Sequence, residues 1–115
     1  MASDNKVPIV VEGGKLVDGT GRKAVEDSLI VIEGNRIKAV SQAGKIPHPP
    51  NATVINAKGK AVLPGLWDTH VHYRDWMAEL YLAHGVTTIM DLGSESTPWI
   101  LAQRDGVAKG KIRGP

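Results

Sequence analysis

Apolar and polar positions alternate in short bursts over the first half of the chain. "PIVVEGGKLVDGTG" has an apolar run, Ile9 to Val11, then Gly13-Gly14, then Leu16-Val17 and a second turn at Asp18-Gly19. A Gly-Gly pair between apolar runs predicts a hairpin, because such turns need positive backbone angles. "SLIVIEGNRIKAV" repeats the pattern, with Leu29 to Ile32, a turn at Gly34-Asn35, and Ile37 to Val40 returning. "KIPHPPN" interrupts it, since its three prolines cannot feed a sheet ladder. "TVINAKGKAVL" predicts one more hairpin, around Lys58-Gly59. Residues 7 to 63 therefore read as part of a small antiparallel β-layer.

The rhythm then changes. Leu66 to His72 reads as a strand that starts at Pro64-Gly65. Asp75 is a predicted N-cap, its carboxylate accepting from free backbone donors of the next turn. Met77, Leu80, Tyr81 and His84 fall at i, i+3, i+4 and i+7, one helical stripe. Gly85 follows as a C-terminal cap. Val86 to Asp91 is rich in β-branched residues and predicts a second, buried strand. Thr97-Pro98 opens a second helix, with Pro98 at its first position, running to about Lys109. Strand, helix, strand, helix is the order of βα units around a parallel sheet. Two parallel strands are too few to cover both faces of such a sheet. The expected organisation is therefore a β-layer over residues 1–63 and the first two βα units of a larger fold over 64–115.

Composition narrows the function classes. The chain has 42% hydrophobic and 23% charged residues, which fits a globular domain. Its net charge of +2 is scattered, with no footprint for nucleic acid. The absence of cysteine excludes disulfides and thiolate metal sites. No stretch approaches the roughly 20 apolar residues of a membrane helix, and the N-terminus has no signal-peptide pattern. A cytoplasmic protein without membrane or nucleic-acid partners is the default expectation.

The chain holds four histidines, and two of them sit in "GLWDTHVHY". On a strand, residues i and i+2 share a face, so His70 and His72 project together, roughly 6–7 Å apart at their backbones. Imidazoles at that separation can both ligate one ion at about 2.0–2.1 Å. A His-x-His tripeptide also arises by chance, and a lone histidine is more often a hydrogen-bonded core residue. The context decides between these readings, because the pair lies near the C-terminal end of a strand that leads into a helix.

The stretch "NAKGKAVLPGLWDTHVHYRDW" resembles the signature of the amidohydrolase superfamily, metal-dependent hydrolases built on a (β/α)8 barrel. "VEGGKLVDGTG" and "SLIVIEGNRIKAV" are similar to the strands these enzymes carry before the barrel, and "HGVTTIMDLGS" resembles their second barrel strand. Within the superfamily the resemblance is to the imidazolonepropionase-like and prolidase-like branch. It implies an α/β fold, the N-terminal portion of a TIM barrel preceded by part of a small β-sandwich. It also implies that His70 and His72 are first-strand ligands of a divalent transition metal, zinc, present as one or two ions. The implied chemistry is hydrolysis of an amide, dipeptide or cyclic amide by metal-activated water.

Neighbouring residues are candidates of lower rank. Asp68 is two residues before His70 and is expected on the same face, either orienting an imidazole or as a satisfied polar residue inside the barrel. "DTHVHYR" is similar to the dihydroorotase and hydantoinase pattern, in which the arginine after the motif binds a substrate carboxylate; this makes Arg74 a candidate, although the downstream sequence departs from that branch. Tyr73 is either a residue of the pocket mouth or a packing residue. Trp67, Trp76 and Trp99 are expected to pack, His48 to lie in a loop, and His84 at a helix end. Asp91 ends the second strand and so faces the same rim.

A complete barrel takes about 250 residues. The remaining ligands and the proton-handling aspartate of this family come from later strands. The expected partners are therefore a small amide-type substrate and the remainder of the barrel, as more of the same chain or a second polypeptide, in an oligomer when complete. The competing expectation is a non-catalytic fragment that acts as a structural or interaction module.

Overall fold

The computed structural model describes residues 7–93 and 96–115. The chain divides into two compact units, Met1–Pro64 and Gly65–Pro115.

The first unit is a five-stranded sheet. Its strands are β1 (Ile9–Leu16), β2 (Val25–Glu33), β3 (Arg36–Gln42), β4 (Thr53–Asn56) and β5 (Ala61–Val62), in the order β3-β2-β1-β4 with β5 also on β1. The β2–β3 hairpin turns at Gly34-Asn35, where Gly34 supplies the positive φ that the tight turn needs.

Two predicted turns are something else. Gly13-Gly14 is not a hairpin: β1 runs straight through it, with register shifts against β2 on either side of Gly14 and φ +83° at Gly13. The glycines make a bulge, which meets the same demand for positive φ without reversing the chain. Lys58-Gly59 does not join a hairpin either, because β4 and β5 both pair with β1 in parallel, at Ile9↔Thr53 and Leu16↔Val62. The segment between them steps across the bulge, and the Ala57 and Lys15 amides bond to Glu12 and Lys60 carbonyls at 2.7 and 2.9 Å. The layer is therefore mixed rather than antiparallel.

Val10, Leu29 and Val31 form the buried core of this unit, with Ala39, Ile46 and Ala52 packed around them. Ser28 is fully buried, and its hydroxyl donates to the Gly14 carbonyl at 2.8 Å, which compensates its burial. The loop after β3 is tied down by His48, whose Nε2 lies 2.8 Å from a Glu12 carboxylate oxygen.

The second unit is two βα units. Its strands β6 (Leu66–Val71) and β7 (Val86–Asp91) pair in parallel, and each is followed by a helix, α1 (Ala78–Ala83) after a 3-10 turn at Asp75–Met77, and α2 (Thr97–Ala108). Its core is Val71, Tyr73 and Ala78, with Tyr81, Ile89, Trp99 and Ile100 packed against them.

Several local expectations change here. Asp75 is the first residue of the 3-10 turn rather than a cap, and its carboxylate accepts from the adjacent Trp76 amide at 2.8 Å. Pro98 takes the second helical position, after Thr97. Strand β7 is not buried; Met90 is 52% exposed, because the strand pairs with β6 along one edge and the helices cover one face. Trp67 and Trp76 are 72% and 67% exposed, so Trp99 alone of the three tryptophans packs on this core. Gly85 has φ +78° just after α1, as a helix-ending glycine should.

Gly14 offers a direct check of the bulge. A Cβ there would stand 2.6 Å from a Val62 methyl and 3.0 Å from the Ala57 Cβ. Gly14→Ala is expected to lower stability by about 1–3 kcal/mol through overpacking, measured as a reduced urea midpoint; an unchanged midpoint would contradict the close approach of β5 to β1.

Candidate metal centre

The site is built on the end of β6. Val71 and Tyr73 alternate inward and are 5% and 3% exposed, while His70 and His72 alternate outward and are exposed. Period-two alternation thus delivers both imidazoles to one face, one at the last turn of the pleat and one just past it. Their ring centroids are 5.6 Å apart with planes at 71°. Two imidazoles sharing one tetrahedral ion have ring centres roughly 5 Å apart, so the pair fits two positions of such a coordination sphere. Among the described residues, no hydrogen bond occupies a ring nitrogen of either histidine.

Among the described residues the pair has no third ligand. Among the described residues no group of three or more His, Cys, Asp or Glu side chains is placed to hold an ion. His48 is paired with Glu12 in the first unit, and His84 Nδ1 lies 2.8 Å from the Leu80 carbonyl at the end of α1.

Asp68 is not on the histidine face. The β6–β7 register is irregular between Asp68 and Val71, and Asp68 pairs with Ile89, a residue of the helix-covered core. Its carboxylate lines a groove with Leu80, Tyr81 and His84 of the α1 region. There it accepts the backbone N–H of His70 at 3.2 Å. An irregular register breaks the parity on which the same-face expectation rested.

Tyr73 is buried, stacked on Tyr81 at 6.5 Å and tilted against Trp99 at 5.8 Å, and it also lines a cavity with Ile89, Asp91 and Ile100. Arg74 is exposed, two residues past His72, and its carbonyl accepts the Met77 amide at 3.0 Å to start the 3-10 turn. Asp91 closes β7 with a carboxylate that accepts the Tyr73 and Gly93 amides at 2.9 and 3.1 Å. Its place at a strand end was visible in the sequence; its bond to the residue after His72 was not.

The chain is similar in sequence and fold to several known proteins. An adenine deaminase from Geobacillus kaustophilus is 32% identical over 95 residues, covering 77% of this chain and 15% of the relative. A dihydroorotase from Pelotomaculum thermopropionicum is 34% identical over 67 residues, covering 58% of this chain and 15% of the relative. The solved structure of a molinate hydrolase superposes with a TM-score of 0.80 at 30% identity, over 94% of this chain and 28% of that one. No family model matches the chain.

Sequence and fold together relate the chain to the amidohydrolase superfamily. Its structural neighbours are amidohydrolases, proteins that combine a TIM barrel with a β-sandwich. The chain spans about 15% of the length of the curated relatives it matches. No helix among the described residues is long and apolar enough to cross a membrane.

Burial raises the Tyr73 phenol above its ordinary value of 10.0, with the Asp75 carboxylate and Tyr81 adding to the shift. Burial also raises Tyr81, helped by the Asp68 and Asp91 carboxylates. Both folded values lie above the unfolded one, so the stabilisation is complete below pH about 10 and is lost as pH rises through the folded values. The chain has two tyrosines, so phenolate absorbance should appear at higher pH in the native protein than in urea, with stability falling over that range. Coincident titrations in the two states would contradict the packing around Tyr73.

Proposed function

We propose that this chain supplies the first two βα units of a (β/α)8 barrel, with strands of a small β-sandwich before it, to a metal-dependent hydrolase of C–N bonds. Residues 1–63 belong to the sandwich and 64–115 to the barrel. His70 and His72 act as two protein ligands of a divalent transition metal, zinc, in a site of one or two ions. The observation that carries this reading is the exposed pair of imidazoles, 5.6 Å apart at the C-terminal end of a parallel strand, the end where barrel enzymes build their sites. The hydrolase names of the relatives, adenine deaminase and dihydroorotase, support C–N chemistry.

When bound, the metal supplies Lewis acidity, polarising a substrate carbonyl and lowering the pKa of water toward neutrality. The chain's own residues bind and orient. His70 and His72 hold the ion on a face that the rest of the barrel, from more of this chain or from a second polypeptide, encloses and keeps dry. Their neighbours Val71 and Tyr73 anchor the strand end from beneath. Arg74, exposed beside the pair, grips a substrate carboxylate through its planar guanidinium. The proton-transferring group belongs to the rest of the barrel. The substrate class is therefore a small amide-type molecule, with a carboxylate where Arg74 takes part.

Zinc titration by calorimetry tests the ligand pair. His70→Ala and His72→Ala should each weaken binding at least about tenfold, or about 1.4 kcal/mol, while His48→Ala and His84→Ala should leave it unchanged. Wild-type affinity in the His70→Ala/His72→Ala double variant would sink the reading. In the complete enzyme, Arg74→Ala should lower kcat/KM for carboxylated substrates about 10- to 100-fold, the range for a charge-assisted hydrogen bond, and spare uncharged amides.

A further inference from the structure

We infer that Asp91 is a positioning residue for the metal centre: it extends the β6–β7 ladder by one rung through its side chain and thereby fixes His72. The inference rests on the reading of His70 and His72 as metal ligands.

The regular ladder ends one residue too early for the site. Strand β6 stops at Val71, opposite Asp91, and the last backbone bond between the strands runs from the Leu92 amide to the Val71 carbonyl at 3.0 Å. His72 lies beyond it, exposed, on a backbone that has left the strand. An imidazole on an untethered loop would be a poor ligand, since its backbone freedom must be lost each time an ion binds.

Asp91 removes that freedom. One carboxylate oxygen accepts the Tyr73 amide at 2.9 Å, standing in for the carbonyl that a longer strand would offer. The other accepts the Gly93 amide at 3.1 Å, and this bond keeps the carboxylate turned toward β6. Gly93 has φ +100°, a conformation open to glycine. Bonds from backbone amides to an ionised carboxylate are among the stronger hydrogen bonds. His72 is then held between two pinned neighbours, Val71 by its carbonyl and Tyr73 by its amide and its buried ring.

The test combines amide exchange with zinc titration on the full chain. In Asp91→Ala the Tyr73 and Gly93 amides should exchange faster, and zinc affinity should fall roughly 10- to 100-fold, as for other supporting partners of metal ligands. Asp91→Asn keeps one acceptor oxygen and should retain part of both the Tyr73 protection and the affinity. It also serves if the alanine variant fails to fold. A purely structural role would lower thermal stability and leave zinc affinity of the folded chain unchanged.

Fast Tyr73 exchange with wild-type zinc affinity in either variant would overturn the inference alone, leaving the ligand pair standing. A wild-type chain that binds no zinc, or binds it equally without the two histidines, would overturn the ligand reading and this inference with it.

Discussion

The side-chain parity of strand β6 is the constraint on which the candidate site depends. A strand has two faces, and each residue is committed to one by its neighbours. Burial of Val71 and Tyr73 among Ala78, Tyr81, Ile89 and Trp99 anchors one face of the strand end. That burial leaves His70 and His72 on the other face whatever their own preferences. Apolar packing, which is non-directional, is thereby converted into the placement of two nitrogen donors.

The surrounding elements hold that end in place. Gly65 lets the strand begin hard against its neighbour, since a Cβ there would overlap the Thr87 side chain. The Leu66 amide bonds to the Gly85 carbonyl at 2.8 Å, so the glycine that ends α1 also starts the parallel pairing. At the other end, Asp91 carries the pairing past the last backbone bond. The first unit solves a separate problem by similar means: the Gly13-Gly14 bulge lets one strand take two parallel partners in succession, with buried Ser28 bonded to the bulge itself.

Much of this was legible in the sequence, and the failures share a cause. The β2–β3 hairpin, the strand carrying the histidines, the cap at Gly85 and the βα order follow from local signals of period and turn chemistry. Gly13-Gly14 and Lys58-Gly59 carry the same turn signal, but a positive φ serves a bulge or an offset as well as a reversal. Which one forms depends on partners distant in the chain, here β4 and β5 against β1. Counting in twos puts Asp68 on the histidine face, and the register irregularity between Asp68 and Val71 defeats that count. Trp67 and Trp76 look like core residues by composition, yet these two βα units bury only what their own helices cover. Asp91 could be placed at a strand end, while its bond across to Tyr73 is a tertiary fact with no local signature.

The most direct test of the account is a crystal of the chain soaked in zinc and measured by anomalous scattering at the zinc edge. The account predicts one peak within about 2.0–2.1 Å of a nitrogen from both His70 and His72, with the ion's remaining positions open to solvent or to a partner. A peak held by His48 and Glu12 or by His84 instead, with the two β6 imidazoles apart and free of metal, would contradict it.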